Sequence, residues 1–223
     1  MRIKNANRIE GGMTMIELLT MVVVLVIWLA MLLPALNQPH QRRPGPRCVN
    51  NLKEIGAAFY IWKNDNSGAY PMELSTNLGG TKEYAFGPEV FRHFQALQNE
   101  FGQSPKVVVC PEDKGRSPST NFINFNNSNL SYFVGVTVSA SDKNPDLFLS
   151  GDRNLTNALG AGRALFLLTT NGAVGWSAGI HGDKHAPAGN ILFTDGRVEQ
   201  LSTSRLETAL RKPGVASGPL AIP

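Results

Sequence analysis

The stretch MTMIELLTMVVVLVIWLAMLLPAL, Met13 to Leu36, decides how the rest of the chain is read. Among its 24 residues only Thr14, Glu17, Thr20 and Pro34 are not hydrophobic, and from Leu18 onward it carries no charge. A helix over Leu18 to Leu36 reaches about 28 Å at about 1.5 Å per residue, close to the hydrocarbon thickness of a bilayer. The stretch therefore predicts a membrane-spanning helix. A cleaved secretory signal fits less well, because such signals have an apolar core of about 7 to 15 residues followed by small residues at the cut. Here the run is longer and ends Leu33-Pro34-Ala35-Leu36.

Outside that run the chain has the composition of a soluble domain. Of all 223 residues 42% are hydrophobic and 17% charged; without the run the hydrophobic share falls to roughly 37%. Such a chain can build a core and is not disordered throughout. The formal charge is +4, and residues 1–12 hold three positive and one negative side chain, so the remainder keeps +2. Beyond the short cluster Arg42, Arg43 and Arg47 nothing speaks for nucleic acid. Two cysteines, Cys48 and Cys110, exclude a disulfide-dense scaffold and a four-cysteine zinc site.

The edge of the apolar run carries more information than its length. Arg2, Lys4 and Arg8 precede Gly11-Gly12-Met13-Thr14-Met15-Ile16-Glu17-Leu18-Leu19, in which a lone carboxylate sits four residues into apolar sequence. An unpaired acid inside a membrane segment costs a few kcal/mol, so it needs a role or a place among the headgroups. This junction resembles the prepilin signal of type IV pilins and type II secretion pseudopilins. The resemblance implies cleavage between Gly12 and Met13 by a prepilin peptidase, with N-methylation of Met13. It also implies that Glu17 pairs with the charged amino terminus of Met13 on a neighbouring subunit, each charge relieving the other in lipid. Pro34 matches a proline that these proteins often carry late in the apolar helix, where it favours a kink.

Two departures stand out. Pro39, Pro44 and Pro46 follow the span, where the family usually continues one long helix, and they predict a break. Basic residues also flank the span on both sides, so the cytoplasmic placement of the N-terminus comes from the resemblance alone. The implied location is a bacterial inner membrane, single-pass, with the globular domain extracytoplasmic and the whole in a periplasmic or surface filament.

From Cys48, apolar residues recur at Val49, Leu52, Ile55, Phe59 and Trp62, an amphipathic helix that ends in Asn64-Asp65-Asn66-Ser67-Gly68. Its apolar face is expected on the sheet of the domain, with Phe59, Tyr60 and Trp62 read as core rather than ligand box. The string Arg47 to Gly56 resembles one group of bacterial prepilin-type proteins, whose pattern continues here as Val109-Cys110-Pro111, Asn129 to Gly135, Gly151 to Asn154 and Gly189 to Gly196. The extracytoplasmic location that the resemblance implies would pair Cys48 with Cys110 and tie the helix to the end of a strand at Lys106 to Val109. Two buried thiols are the alternative. No His or Cys lies at ligand spacing beside either cysteine, which speaks against a two-cysteine metal site.

Pro88 to Phe101 reads as a further amphipathic helix, and Val107 to Cys110, Ser131 to Val138, Leu147 to Ser150, Ala164 to Thr170 and Asn190 to Leu201 read as strands. In the last of these Asp195-Gly196 predicts a type I′ hairpin turn. Ser204 with Glu207 predicts a capping box opening a helix to about Leu210. The class is α+β: a transmembrane helix, then an amphipathic helix packed on an antiparallel sheet, which is also the pilin-like architecture. The expected divisions are a leader at 1–12, an assembly helix at 13–37, a Pro-rich linker at 38–46, the globular domain at 47–210 and a disordered tail at 211–223.

No motif of an enzyme is present: there is no Gly-x-Ser-x-Gly elbow, no His-Glu-x-x-His and no phosphate-binding loop. His181, Asp183, His185 and Asp195, with Asp152 on another turn, could hold a divalent cation if they converge, and Asp183 with Asp195 could serve calcium, although the ligand set is incomplete. The resemblance implies a structural subunit of a type IV pilus or type II secretion pseudopilus, with no cofactor expected apart from the calcium considered above. Its partners would be a prepilin peptidase, other pilin or pseudopilin subunits, an assembly platform and the membrane, with no nucleic acid. Two other classes are a membrane-anchored extracytoplasmic binding domain that uses the same export route without polymerising, and an anchored metal-dependent enzyme.

Overall fold

The computed structural model describes residues 14–36, 45–139, 143–156, 165–167, 174–182, 185–212, 215 and 218–223. The chain divides into two units, Met1–Arg42 and Arg43–Pro223. The described residues of the first form the helix α1 (Met15–Leu36), which runs on past Pro34. Every side chain described on it, at 15–29, is exposed. Among the described residues no helix is long and apolar enough to cross a membrane. The fully described turns of α1 cover about 22 Å, against a hydrocarbon core of about 30 Å.

The second unit is mixed helix and antiparallel sheet. Its first helix, α2 (Gly45–Asp65), begins earlier than the period of apolar residues predicts. Gly45 and Pro46 belong to its first turn rather than to a linker, because a proline there forfeits only an N–H that has no partner in the helix. Leu52, Ile55, Phe59 and Trp62 are buried, as their spacing predicts, and Cys48 with them; Val49 is only half-buried, and Tyr60, expected in the core, is exposed because it follows Phe59 by one residue and so turns off the buried face. Gly68 at φ 83° then closes the helix end, its N–H donating to the Lys63 carbonyl at 2.9 Å. A series of short 3-10 turns leads to α3 (Phe91–Gln95).

Beyond α3 the chain builds β1 (Tyr132–Gly135), β2 (Phe148–Asp152), β3 (Leu155–Thr156), β4 (Leu165–Leu167), β5 (Gly175–Trp176), β6 (His181–Gly182), β7 (Pro187–Phe193) and β8 (Val198–Ser202). Helix α4 (Thr203–Leu210) and a last strand, β9 (Pro219–Ala221), complete it. The main sheet runs β4-β9-β1-β2-β7-β6, with β8 also on β7, and β3 pairs with β5 apart from it. Each of these pairings is antiparallel.

Period-two alternation sends side chains to two cores. Tyr132, Val134, Leu149 and Leu192 join the cluster that contains Leu52, Ile55 and Phe59 of α2. Phe133, Phe148, Ile191, Phe193 and Leu220 join the cluster of Leu206 and Leu210 from α4. Because both faces are covered, the strands read as continuous apolar runs.

Several expectations need correction. The segment expected as a helix at 88–101 has α-helical bonding only over Phe91–Gln95, after which Leu97 and Gln98 donate to carbonyls three residues back. Val90, Phe94 and Leu97 are buried nonetheless, since 3-10 turns preserve the face over so short a run. The expected strand at 106–109 is a 3-10 helix over Pro105–Val108, with Pro105 fixing its start. The hairpin turn is not type I′, which needs positive φ at two residues. Only Gly196, at 85°, has it, and Phe193 pairs with Arg197 around a three-residue loop. The cap of α4 is Ser202, whose hydroxyl accepts the Arg205 N–H at 3.4 Å, not Ser204.

The C-terminal residues are not a disordered tail where they are described. Strand β9 lies between β1 and β4, with Leu220 and Ala221 buried, and Arg116 Nη2 donates to the Pro223 carbonyl at 2.9 Å. The Pro- and Gly-rich composition around 213–219 conceals three apolar residues that complete the sheet.

One buried histidine couples this fold to pH. His93 of α3 is fully buried, its Nδ1 2.7 Å from Thr81 Oγ1, and burial pushes its pKa down to about 4. Between pH 4 and 6.5 the unfolded chain binds a proton that the folded chain refuses, so stability rises with pH across that window. The contribution is on the order of 3 kcal/mol, complete above pH 6.5 and lost by pH 4. Urea unfolding at pH 7 and pH 4.5 should show this fall in wild type and a flatter profile in His93→Gln; equal slopes would contradict it.

Candidate functional site

The side chains with the most chemistry gather where α2 meets the sheet. Cys48, in the first turns of α2, is bonded to Cys110 with 5.2 Å between their Cα atoms. The pairing of Cys48 with Cys110 is thus present, and it ties α2 to the segment after the 3-10 helix of Pro105–Val108 rather than to a strand. Asn51, one turn along α2, adds a second tie by donating to the Val109 carbonyl at 3.0 Å.

Asp152, at the end of β2, points into this corner with no exposed surface. Its Oδ2 accepts from Asn190 of β7 twice, from the backbone N–H at 2.6 Å and from Nδ2 at 2.8 Å. The same oxygen lies 3.2 Å from His181 Nε2, on β6. That nitrogen lies 3.6 Å from Cys110 Sγ. Tyr132 of β1 stands opposite Asp152 in the ladder, and burial, with Asp152 adding to it, raises its phenol well above the ordinary range.

The next residue turns the other way. Arg153 donates from Nε and Nη2 to the two oxygens of Asp113 at 2.7 and 2.8 Å, on the turn that follows Cys110. Burial pushes the Asp113 carboxyl up, but the Arg153 hydrogen bonds and charge outweigh it and hold the pKa below its usual value. Asn154 then donates to the carbonyls of Ser177 and Ala188 at 2.9 and 3.2 Å. The string Gly151-Asp152-Arg153-Asn154 is therefore a clamp in which each polar side chain secures a different segment.

The sequence-predicted site residues fall in separate places. Gly12 and Met13 lie outside the described residues, as does Asp183. Pro34 lies within α1. Glu17 is exposed in the first turn of α1 and forms a reciprocal box with Thr14: Glu17 Oε2 accepts the Thr14 N–H at 2.8 Å, and Thr14 Oγ1 accepts the Glu17 N–H at 3.4 Å. Thr-x-x-Glu is the capping-box spacing, a signal present in the sequence and overshadowed by the apolar run behind it.

His181 and Asp195 are not one metal site. His181 pairs with Ala188 near the start of β7, whereas Asp195 lies in the hairpin beyond its end, roughly 20 Å along the strand. Asp195 Oδ2 is 2.6 Å from Arg197 Nη1, a guanidinium that also bonds Glu199 and Asp146. The arginine occupies the centre of that acidic group, where a calcium ion would have to compete with it. His185 is exposed just before β7. Among the described residues the one group of metal-type side chains is Cys48, Cys110 and His181. Sequence spacing could not reveal it, because His181 comes from 71 residues beyond Cys110.

No protein-family model, no curated protein and no solved structure matches the chain.

As long as the bridge holds, neither cysteine offers a thiolate, and the corner is sealed from solvent. Its role there is mechanical. Closing a loop of 62 residues restricts the unfolded chain, which in the chain-entropy model stabilises the fold by about 4 kcal/mol. Replacing both cysteines by serine should lower the unfolding free energy by about that amount in urea titrations. A loss below about 1 kcal/mol would mean that Asn51 and the clamp hold the corner unaided.

Proposed function

We propose that the chain is a structural subunit of a type IV pilus or type II secretion pseudopilus, processed between Gly12 and Met13 and assembled through its N-terminal helix. The observation that carries this reading is Glu17, a lone acid at the start of a helix whose other residues, Thr20 aside, are apolar on every face. A helix of that kind needs lipid or other helices around it. Residues 13–37 provide the span, and the amino terminus of Met13 on a neighbouring subunit provides the countercharge. The prepilin peptidase, sibling subunits and an assembly platform are its partners, in the inner membrane of a bacterium with the domain outside the cytoplasm.

Three features of the second unit support the reading. The amphipathic helix α2 packs on an antiparallel sheet, as the pilin-like architecture requires. The Cys48–Cys110 bridge suits an oxidising compartment. The strings shared with prepilin-type proteins serve structure here: one is the Asp152 clamp and another the β7–β8 hairpin. A structural, non-enzymatic role accounts for them without a reaction.

Glu17 allows a sharp test, because its capping and its charge can be separated. Glutamine can replace glutamate in a capping box but cannot pair with an ammonium group. Glu17→Gln should therefore leave membrane insertion intact and reduce filament incorporation at least about tenfold, the share recovered in sheared filaments being the measurement. Normal incorporation of this variant would refute the charge-pairing role. Mass spectrometry of the membrane-extracted wild type should show N-methylated Met13 as the first residue. An intact Met1 in cells with active prepilin peptidase would remove the processing step, and inserted but never polymeric protein would favour the anchored binding domain.

A further inference from the structure

We propose that Cys48, Cys110, His181 and Asp152 form a zinc site that exists when the disulfide is reduced and closes when it forms. The two sulfurs and an imidazole nitrogen all lie within 4.8 Å of one another, supplied by three separate segments. Zinc bonds sulfur at about 2.3 Å and imidazole nitrogen at about 2.0 Å, so a tetrahedral ion holds such a pair about 3.6 Å apart. Cys110 Sγ and His181 Nε2 are 3.6 Å apart. Asp152 Oδ2 lies 3.2 Å from the same Nε2, which puts the carboxylate next to these three groups.

A second, independent observation points to a ligand. Asp152 is fully buried, and among the described residues its other oxygen, Oδ1, has no hydrogen-bond partner. A buried carboxylate oxygen left in this way calls for a cation or a donor. Asn190 holds the carboxylate from behind through Oδ2, the support that ligating groups usually receive. Two thiolates, an imidazole and a carboxylate are a donor set suited to zinc.

The exchange balances. An external dithiol breaks the Cys48–Cys110 bond, passing two electrons and two protons to the two sulfurs and leaving as its own disulfide. Zinc then displaces the two thiol protons and binds His181 at an unprotonated Nε2. In reverse, an external disulfide accepts the two electrons, the Cys48–Cys110 bond forms and the ion departs. None of this depends on the assembly reading, which concerns the first unit.

The test uses the full chain in detergent, reduced with a phosphine and titrated with Co2+. One Co2+ per reduced chain is expected, with thiolate-to-cobalt absorption in the near ultraviolet and tetrahedral bands in the visible. These bands should be absent from the oxidised chain and abolished by one equivalent of Zn2+. His181→Ala and Asp152→Asn should each weaken Co2+ binding about tenfold or more. Because the variants can also disturb folding, reduced wild type is heated with and without Zn2+, and the ion should raise its unfolding midpoint. The proposal is overturned if reduced wild type gives no thiolate band, if His181→Ala binds Co2+ as tightly as wild type, or if Zn2+ leaves the midpoint of the reduced chain unchanged.

Discussion

A carboxylate with no surface open to water must be satisfied from within the fold, and Asp152 imposes that requirement on the seam between β2 and β7. Asn190 meets it with its backbone and its side chain together, which fixes Gly151 opposite Ile191 in the ladder. The neighbouring position then has to be glycine. A Cβ on Gly151 would come within 2.7 Å of both the Asn190 carbonyl and the Phe133 ring, neither of which can withdraw. Arg153, sent to the opposite side by the strand's alternation, reaches Asp113 and so secures the turn after Cys110. From Cys110 the bridge leads to α2. The helix, the sheet and the long connection between them are thus referred to one buried charge and its neighbours.

That corner also explains how the sheet can be covered on both faces. Helix α2 lies on one side with Leu52, Ile55 and Phe59, and α4 on the other with Leu206 and Leu210. Close approach of the helix needs a small residue, and Gly56 supplies it: a Cβ there would meet Leu192 Cδ1 at 3.1 Å. The second face closes similarly, with the Trp176 ring directly over Gly189, where a Cβ would come within 2.3 Å. Both glycines lie in the strings on which the resemblance to prepilin-type proteins rests, Arg47 to Gly56 and Gly189 to Gly196. Packing clearance, rather than turn geometry, is what they provide.

Much of this was legible in the sequence, and the rest was hidden for identifiable reasons. The buried face of α2 followed from its spacing, because a helix against a sheet shows its period directly. Strands β1, β2 and β7 were legible as apolar runs, although their two-sided burial removes the alternation that usually assigns faces. Strand β9 was missed because three apolar residues after a Pro- and Gly-rich stretch carry no period at all; only the gap between β1 and β4 gives them a place. The cap at Ser202 lost to Ser204 because Ser204 has Glu207 at the right spacing. In the corner of Cys48, Cys110, Asp152 and His181 the two pairs were legible, Cys48 with Cys110 and His181 with Asp152, but their meeting was not: it depends on the pairing of β6 with β7 and β2 with β7, a matter of tertiary register.

Glu17 brings the two units of the chain under one physical theme, the unpaired acid. In α1 its carboxylate is engaged by Thr14, which satisfies the helix start. A capping box stabilises a helix start only modestly, whereas an uncompensated carboxylate is strongly disfavoured within a bilayer. Hydrogen bonds from a threonine do not cancel charge, so on the proposed reading the box is a holding arrangement and an ammonium group from another subunit is the better partner. Asp152 has Asn190 for its hydrogen bonds at Oδ2, and among the described residues none reaches its Oδ1. In both places neutral donors position a carboxylate whose charge is left for something else to meet.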